Sequence, residues 1–356
     1  MNFCYKFPAV RGMLGKKEYY IGMMPMRLLS KIFSANDNES VQPEFRSQRR
    51  INESRIPEIK KYILENDGSY VFSALCASID GNFEFVSSEI DQNVGQLEID
   101  MDAVLLINDG QHRKAAIEAA IRENSKIGND SISIVFFKDT GLKRSQQMFA
   151  DLNKHAVKTS NSLATLYDNR DELAVCTTKL IGSNSFFEKY ADMERDILGK
   201  NSSKLFTLNN IYKANLRIVK KKSCSKEDEK FINNFWNEIT NSIVEWNELL
   251  KKEITKKDLR ENYIITLGIL INALGRLGAY FNENREIEMH YYLKKLEKID
   301  WHRSNKKDWL NRAIRSDGKV MNNEDAITLT CNRIKFLLEI PLTNDEQNKE
   351  KKLMEK

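Results

Sequence analysis

This sequence has no clusters of cysteine or histidine. Its 356 residues include five cysteines and four histidines, with no CxxC pair and no histidine at metal-ligand spacing from a cysteine. An odd, dispersed set of cysteines argues against a disulfide framework and against a zinc site, and it favours a reducing compartment. We therefore expect a cytoplasmic protein without a bound metal.

Long hydrophobic runs are also scarce. The first fifteen residues have no uninterrupted apolar core of signal-peptide length. The most apolar window, residues 264–281, contains Asn272, Arg276 and three glycines, so it is predicted to be a buried helix rather than a membrane span. The sequence also has no Gly-rich loop followed by a Walker lysine, and no pair of carboxylates with a histidine at nuclease-like spacing.

The overall amino-acid composition is that of a globular protein. Hydrophobic residues make up 41% of the chain and charged residues 30%, and the length suits one large domain or two of ordinary size. The net charge of +5 is mildly basic. Such a balance permits nucleic-acid binding without requiring it, so the positions of the basic residues matter more than their sum.

Strand signals are concentrated in the first part of the chain. Residues 80–82, Asp-Gly-Asn, are expected to close a β-hairpin. The apolar run 132–137 is expected to form a strand beside the one at residues 103–107. Further strand-length apolar segments occupy residues 3–10, 19–26, 70–79, 83–86 and 97–101.

Helical periodicity dominates after residue 161. We therefore predict an α+β protein with a mixed-sheet domain at residues 1–160 and a mostly α-helical domain at residues 161–342. Residues 343–356 are polar and are expected to form a solvated, frayed tail.

One short stretch combines a buried strand, a sharp turn and a helix. The apolar run 103–107 turns at Asn108-Asp109-Gly110 and continues as an Ala-rich segment over residues 114–121. Asp109 is expected to be the N-cap, because its carboxylate can accept from free N–H groups of the first turn. Gly110 would let another backbone or a ligand approach closely.

The same turn carries side chains that suit an anion. Exposed N–H groups at a helix N-terminus, beside His112 and Arg113, are a common way of holding a phosphate. That phosphate would belong either to a nucleotide or to a DNA backbone. The alternative is a purely structural capped helix in which Arg113 forms a salt bridge with a neighbour.

Residues 109–113, Asp-Gly-Gln-His-Arg, followed by Ala115-Ala116, resemble the signature of the DGQHR-domain proteins. In particular they resemble the DndB family, whose members are encoded with the DNA phosphorothioation (sulfur modification) genes. The stretch is also similar to the strand–turn–helix box of the ParB and sulfiredoxin superfamily. The resemblance therefore implies a ParB/sulfiredoxin-like N-terminal domain.

A second polar segment fits the same resemblance. DGQHR-domain proteins have an F-x-x-x-N segment after the second strand, and Phe149 and Asn153 match it. Asn153 would read a base edge or a sugar, and Lys158 would meet phosphate, whereas Ser160 would equally serve as a helix N-cap. The predicted phosphate-binding set is Asp109, Gly110, Gln111, His112, Arg113, Asn153, Lys158, Thr159 and Ser160.

An arginine cluster precedes these segments. In the DndB resemblance, a basic stretch matches Gln48-Arg49-Arg50-Ile51-Asn52. Arginine forks suit phosphates and guanine edges, although a solvated charged loop is the structural alternative. The predicted DNA-binding residues are Arg46, Arg49, Arg50 and Arg55.

The resemblance implies a function in gene regulation. It predicts a repressor that binds double-stranded promoter DNA of its own phosphorothioation gene cluster, in a prokaryotic modification–restriction system. Other phosphorothioation proteins and a second copy of the chain are candidate partners. The enzymatic alternative is a ParB-like nucleoside triphosphatase or DNA nickase, with ATP or CTP and Mg²⁺ as cofactors and with Asp109, His112 and Asn153 as candidate catalytic residues.

Overall fold

The computed structural model describes residues 3–33, 53–138, 141, 147–148, 151, 159–199 and 202–355. The chain divides into two compact units, Met1–Val157 and Lys158–Lys356. The described residues of the first unit form a mixed sheet with a few helices, and those of the second unit are mostly helical. The predicted α+β class is therefore confirmed.

A seven-stranded sheet forms the centre of the described part of the first unit. Its order is β4-β5-β1-β2-β7-β3-β6, and only the pairing of β3 with β7 is parallel. The strands are β1 Cys4–Leu14, β2 Lys17–Pro25, β3 Leu75–Asp80, β4 Phe83–Ser87, β5 Val94–Asp100, β6 Val104–Asp109 and β7 Ser131–Lys138.

Two predicted strand pairings are wrong. Residues 80–82 do not close a hairpin, because β3 pairs with β6 and β7 while β4 pairs with β5. β3 is buried at every position from Leu75 to Ile79. A strand buried on both faces belongs inside a sheet, whereas the half-exposed β4 suits an edge. The prediction that residues 132–137 pair beside residues 103–107 is also wrong, because the buried strand β3 lies between β7 and β6.

Helices of the first unit hold the end of β6 in place. They are α1 Leu29–Ile32, α2 Ile56–Glu65 and α3 Gln111–Glu123, with 3-10 turns at Met26–Leu28, Glu53–Arg55 and Ser125–Asn129. Leu105 and Ile107 of β6 share one core with Ala116 and Ile117 of α3 and Ile63 of α2. Burying each large side chain contributes about 1.5–3 kcal/mol, so the start of α3 is fixed against the sheet.

The second unit has its own core, which includes the tryptophans at positions 236, 246, 301 and 309. Its helices are α4 Asn161–Tyr167, α5 Glu172–Ser183, α6 Ser185–Tyr190, α7 Leu208–Val219, α8 Lys226–Ser242, α9 Val244–Lys251, α10 Lys256–Asn262, α11 Gly268–Glu283, α12 Met289–Leu293, α13 Lys306–Trp309, α14 Glu324–Leu337 and α15 Asn344–Met354. A 3-10 turn spans Lys294–Lys298, and two short strands, β8 Ala191–Asp192 and β9 Phe206–Thr207, pair in parallel.

The last residues differ from the expected tail. Asn344–Met354 forms α15, so the prediction of a frayed segment over residues 343–356 is wrong for most of it. Thr343 and Glu346 form a capping box, and the Glu346 carboxylate also accepts from Lys335 Nζ at 2.7 Å in a buried ion pair. A polar sequence therefore becomes an ordered helix through two specific contacts.

The most apolar window behaves as predicted. It lies largely in α11, where most residues from Ile269 to Phe281 are buried in the core of the second unit. Among the described residues, no helix has the length and apolar character needed to cross a bilayer.

Candidate functional site

The predicted phosphate turn joins the edge strand β6 to α3. Gly110 is the N-cap of α3 and has left-handed backbone angles, φ 100° and ψ 15°. The prediction that Asp109 is the N-cap is therefore wrong. Asp109 is the last residue of β6, and its carboxylate accepts from Arg113 one helical turn ahead. An arginine four residues on competes for the carboxylate more strongly than neutral N–H groups do.

Arg113 ties the turn to the segment that precedes β3. Its Nη1 donates to the carbonyl oxygen of Ser73 at 2.6 Å, to Ser73 Oγ at 2.6 Å and to the carbonyl oxygen of Ala74 at 3.0 Å. Its Nη2 pairs with Asp109, and its side chain is only 18% exposed. The guanidinium is thus engaged within the protein, and sequence reasoning did not identify Ser73 or Ala74 as its partners.

A glycine is required at the apex of the turn. A Cβ at Gly110 would lie 2.4 Å from Leu75 Cδ2 and 3.3 Å from Arg113 Cζ. The left-handed φ adds a conformational cost for any other residue. Gly110 therefore brings the backbone of the turn close against β3 and Arg113.

The first turn of α3 keeps the partial positive charge of a helix N-terminus. Gly110 has no side chain to cap it, and the first turn contains no acidic residue. Gln111 and His112 are half-buried there, and Gln111 Nε2 donates to the carbonyl oxygen of Ile107 at 3.3 Å. A helix start of this kind favours an anion.

A buried polar cluster lies next to the turn on β6. Asn108 is 1% exposed, and its Nδ2 donates to Ser78 Oγ at 2.5 Å and to Met148 Sδ at 3.4 Å. Its Oδ1 is buried without a hydrogen-bond partner among the described residues. Burial, and secondarily the charge of Asp109, raise the pKa of the neighbouring Cys76 thiol to about 12. An asparagine at the end of an apolar run was the sequence signal for this cluster.

The second predicted segment is only partly described. Asn153 and Lys158 lie outside the described residues. Thr159 is exposed, and Ser160 is the N-cap of α4, where its Oγ accepts from the Leu163 N–H at 3.0 Å. Ser160 Oγ also donates to the carbonyl oxygen of Glu194. The structural alternative for Ser160 is therefore confirmed, and whether it also contacts phosphate stays a prediction.

Most of the arginine cluster also lies outside the described residues, namely Arg46, Arg49 and Arg50. Arg55 is described: it is exposed and is the N-cap residue of α2. In the part of the chain that the structure describes, no group of three or more His, Cys, Asp or Glu side chains is placed to hold a metal ion.

Comparison with known proteins gives one match. The family model for DndB, described as DNA-sulfur modification-associated, matches residues 7–341. No curated protein and no solved structure matches the chain. The family match spans nearly the whole sequence and includes the Asp-Gly-Gln-His-Arg turn. The chain therefore belongs to the DndB family of DNA-sulfur modification-associated proteins.

Proposed function

We propose that this protein is a DNA-binding transcriptional repressor of a DNA phosphorothioation (dnd) gene cluster in a prokaryotic modification–restriction system. The observation that carries the proposal is the family match, which links the chain to DNA sulfur modification over residues 7–341. The chemistry of the turn at residues 109–113 and of the upstream arginines supplies the physical support.

The turn is proposed to bind a phosphate through its backbone. Gly110 opens α3 without a side-chain cap, and the thirteen residues of α3 align their peptide dipoles behind it. Such a helix start stabilises an anion by about 0.3–1 kcal/mol when exposed and by more when partly buried. Gln111 and His112, half-buried in the first turn, are the residues proposed to surround that phosphate.

Asp109 and Arg113 are assigned a positioning role in this proposal. Arg113 already donates to Ser73, Ala74 and Asp109, so a phosphate contact would require it to exchange existing partners. The pair instead fixes the distance between the turn and the segment that leads into β3. The backbone, and not the guanidinium, is then the proposed anion-binding element.

Arg46, Arg49, Arg50 and Arg55 are proposed to contact the DNA backbone. Arginines of this kind displace condensed counterions, so their contribution falls as salt rises. Arg55 is exposed at the start of α2 and has no carboxylate within ion-pair distance among the described residues. This basic segment would supply affinity rather than sequence recognition.

A nucleotide is the second candidate for the turn. The observation in its favour is the geometry itself, because a strand that ends in a glycine-led helix start is a common arrangement for nucleotide phosphates. On this alternative the ParB-like resemblance extends to nucleotide binding, with ATP or CTP and Mg²⁺. The binding experiment described next separates DNA phosphate from nucleotide phosphate as the ligand of the turn.

The deciding experiment measures the binding of promoter DNA and of random DNA, each with and without ATP, CTP and Mg²⁺. A repressor binds the promoter more tightly than random DNA and does so without nucleotide or metal. Phosphate release, or nicking of supercoiled DNA, would instead establish the enzymatic alternative. Equal affinity for promoter and random DNA would contradict repression of a specific cluster.

A charge variant tests the turn, with circular dichroism as a check on its fold, because Gln111→Glu also loses the hydrogen bond that Gln111 Nε2 donates to the carbonyl oxygen of Ile107. Gln111→Glu places an acid in the first turn of α3, which suits the helix dipole but repels a phosphate. We expect roughly a tenfold loss of DNA affinity for Gln111→Glu. The matched control is Gln92→Glu, which adds the same charge at an exposed position of the first unit and should bind like the wild type. Equal affinities for the two variants would remove the turn from the interface.

A further inference from the structure

A second polar site lies within the helical unit, and its lining contains none of the phosphate-binding or DNA-binding residues predicted from the sequence. α7, α11, α14 and α15 line a cavity of about 650 Å³ that is open to solvent on one side. Its lining includes five basic and four acidic side chains, together with Thr328, Thr343 and the ring of Tyr280. A cavity of this size suits a small molecule, and its charged lining favours a polar one.

Most of the basic side chains of this cavity are neutralised by carboxylates. Arg217 forms a two-pronged pair with Glu324, in which Nη1 donates to Oε2 at 2.9 Å. Lys335 donates to both carboxylate oxygens of Glu346, at 2.7 and 3.0 Å. Lys220 pairs with Glu283, and Lys349 with Asp325 at 2.6 Å.

Arg276 differs from these four residues. It is half-buried on α11, and its Nε is shielded from solvent without a hydrogen-bond partner among the described residues. No carboxylate of the described residues lies within ion-pair distance of it. A buried donor without an acceptor costs about 1–3 kcal/mol, and more when it is charged. Arg276 and Asp345 are the two charged side chains of the lining without an ion pair among the described residues. The nearby charge of Arg276 helps to lower the pKa of Glu324 and Glu346.

We propose that this cavity binds a small oxyanion, a carboxylate or phosphate group, on the guanidinium of Arg276. The planar fork of arginine donates to two oxygens of such a group at once. An oxyanion in the cavity would accept from the Nη groups of Arg276, for which the described residues supply no acceptor. The paired carboxylates around it fix the other cations, so that Arg276 is the residue on which the site depends.

The test uses the intact protein and follows unfolding of the second unit by tryptophan fluorescence, since all four tryptophans lie in that unit. Inorganic phosphate and acetate are each titrated against chloride at constant ionic strength. A ligand of the folded state raises Tm in proportion to RT ln(1 + [L]/Kd). Phosphate also stabilises folded proteins without binding at a site, so each rise is measured relative to that of Arg276→Gln. A larger excess rise with phosphate assigns a phosphate site, and a larger excess rise with acetate assigns a carboxylate site.

Three variants make the outcome specific to Arg276. Arg276→Gln should raise the Kd by about tenfold or more, because it removes both the charge and the fork. Arg276→Lys keeps the charge and should bind with intermediate affinity. The control Arg195→Gln removes an exposed arginine of the same unit and should respond like the wild type.

A fourth variant separates binding from folding. Arg276→Met should change Tm in chloride only slightly, because removing the unpaired buried Nε donor offsets the loss of a positive charge near Glu324 and Glu346. A large drop in Tm for Arg276→Met would identify Arg276 as a structural residue and overturn the proposal. An equal anion response in wild type and Arg276→Gln, or no response to either anion, would overturn it as well.

Discussion

Single residues determine the geometry of the turn, and Gly110 is the most constrained of them. Its φ is 100°, and a Cβ at this position would lie only 2.4 Å from Leu75 Cδ2, which leaves no room for a side chain. Two costs therefore add at this position, one from the left-handed backbone and one from the steric overlap.

We predict that Gly110→Ala destabilises the first unit by about 2 kcal/mol or more. Urea unfolding followed by circular dichroism measures the change, and tryptophan fluorescence identifies any contribution from the second unit. The control is Gly15→Ala, where φ is 57° but nothing lies within 4 Å, so only the backbone cost of about 1 kcal/mol applies. Equal losses in the two variants would contradict the close packing of Gly110.

Arg113 provides the second prediction at this scale. Because its guanidinium donates to Ser73, Ala74 and Asp109, Arg113→Ala should lower the free energy of unfolding of the first unit by about 2–3 kcal/mol. Arg122→Ala, at an exposed position of the same helix, should change it by less than about 0.5 kcal/mol. If Arg113→Ala were as stable as Arg122→Ala, the positioning role assigned to Arg113 would be wrong.

The sequence predicts which residues form the turn but not how their side chains are paired. Periodicity and glycine chemistry place the strand, the turn and the helix in the right order, but the strand continues two residues beyond the predicted end, to Asp109, and the N-cap is Gly110. The partner of Asp109 was mispredicted because a free N–H group and an arginine one turn away compete for one carboxylate. Ser73 and Ala74 are about forty residues from Arg113 in the chain, and local patterns carry no signal for such contacts.

At the scale of elements, the sheet shows why strand positions are easier to predict than pairings. Strands β1 and β2 overlap the predicted apolar segments at residues 3–10 and 19–26. The interior position of β3 depends on long-range pairing with β7, more than fifty residues later. A turn signal at residues 80–82 cannot reveal that competing partner.

Helix α15 offers a test of its buried ion pair. Glu346 is 8% exposed and Lys335 is 4% exposed. Burial alone would raise the pKa of Glu346, but hydrogen bonds from Lys335 and from the Thr343 N–H lower it below its ordinary value of 4.5. A carboxylate with a depressed folded-state pKa stabilises the protein above its unfolded pKa and loses that contribution as pH falls through the folded one.

We therefore predict that the stability of the second unit falls more steeply below pH 4.5 in the wild type than in Glu346→Gln. At neutral pH, Glu346→Gln should cost about 3 kcal/mol, because it leaves the Lys335 charge buried and unpaired. Urea unfolding followed by tryptophan fluorescence across this pH range measures both effects. The control is Glu355→Gln, on the exposed end of the same segment, which should keep the wild-type pH profile. An identical pH profile for Glu346→Gln and the wild type would contradict the stabilising role of the buried ion pair.

At the scale of the whole molecule, the chain combines two units with separate cores. The core of the first unit is built on the sheet and the core of the second on helices around the four tryptophans. The candidate phosphate turn belongs to the first unit, and the Arg276 cavity belongs to the second. The family match covers both, so both units are part of what the DndB family shares.

We propose that the protein binds DNA phosphates through its arginine cluster at residues 46–55. The most direct measurement is the dependence of the promoter-binding constant on salt, compared between wild type and Arg49→Ala/Arg50→Ala. The slope of log K against log salt is negative, and each lost phosphate contact reduces its magnitude by about 0.9.

We predict that the magnitude of the slope is smaller by about 1–2 in Arg49→Ala/Arg50→Ala, with weaker binding at every salt concentration. Lys351→Ala/Lys352→Ala, which removes two exposed charges from α15, should keep the wild-type slope. An unchanged slope in the arginine variant, or no DNA binding by the wild type in the absence of nucleotide, would contradict the account.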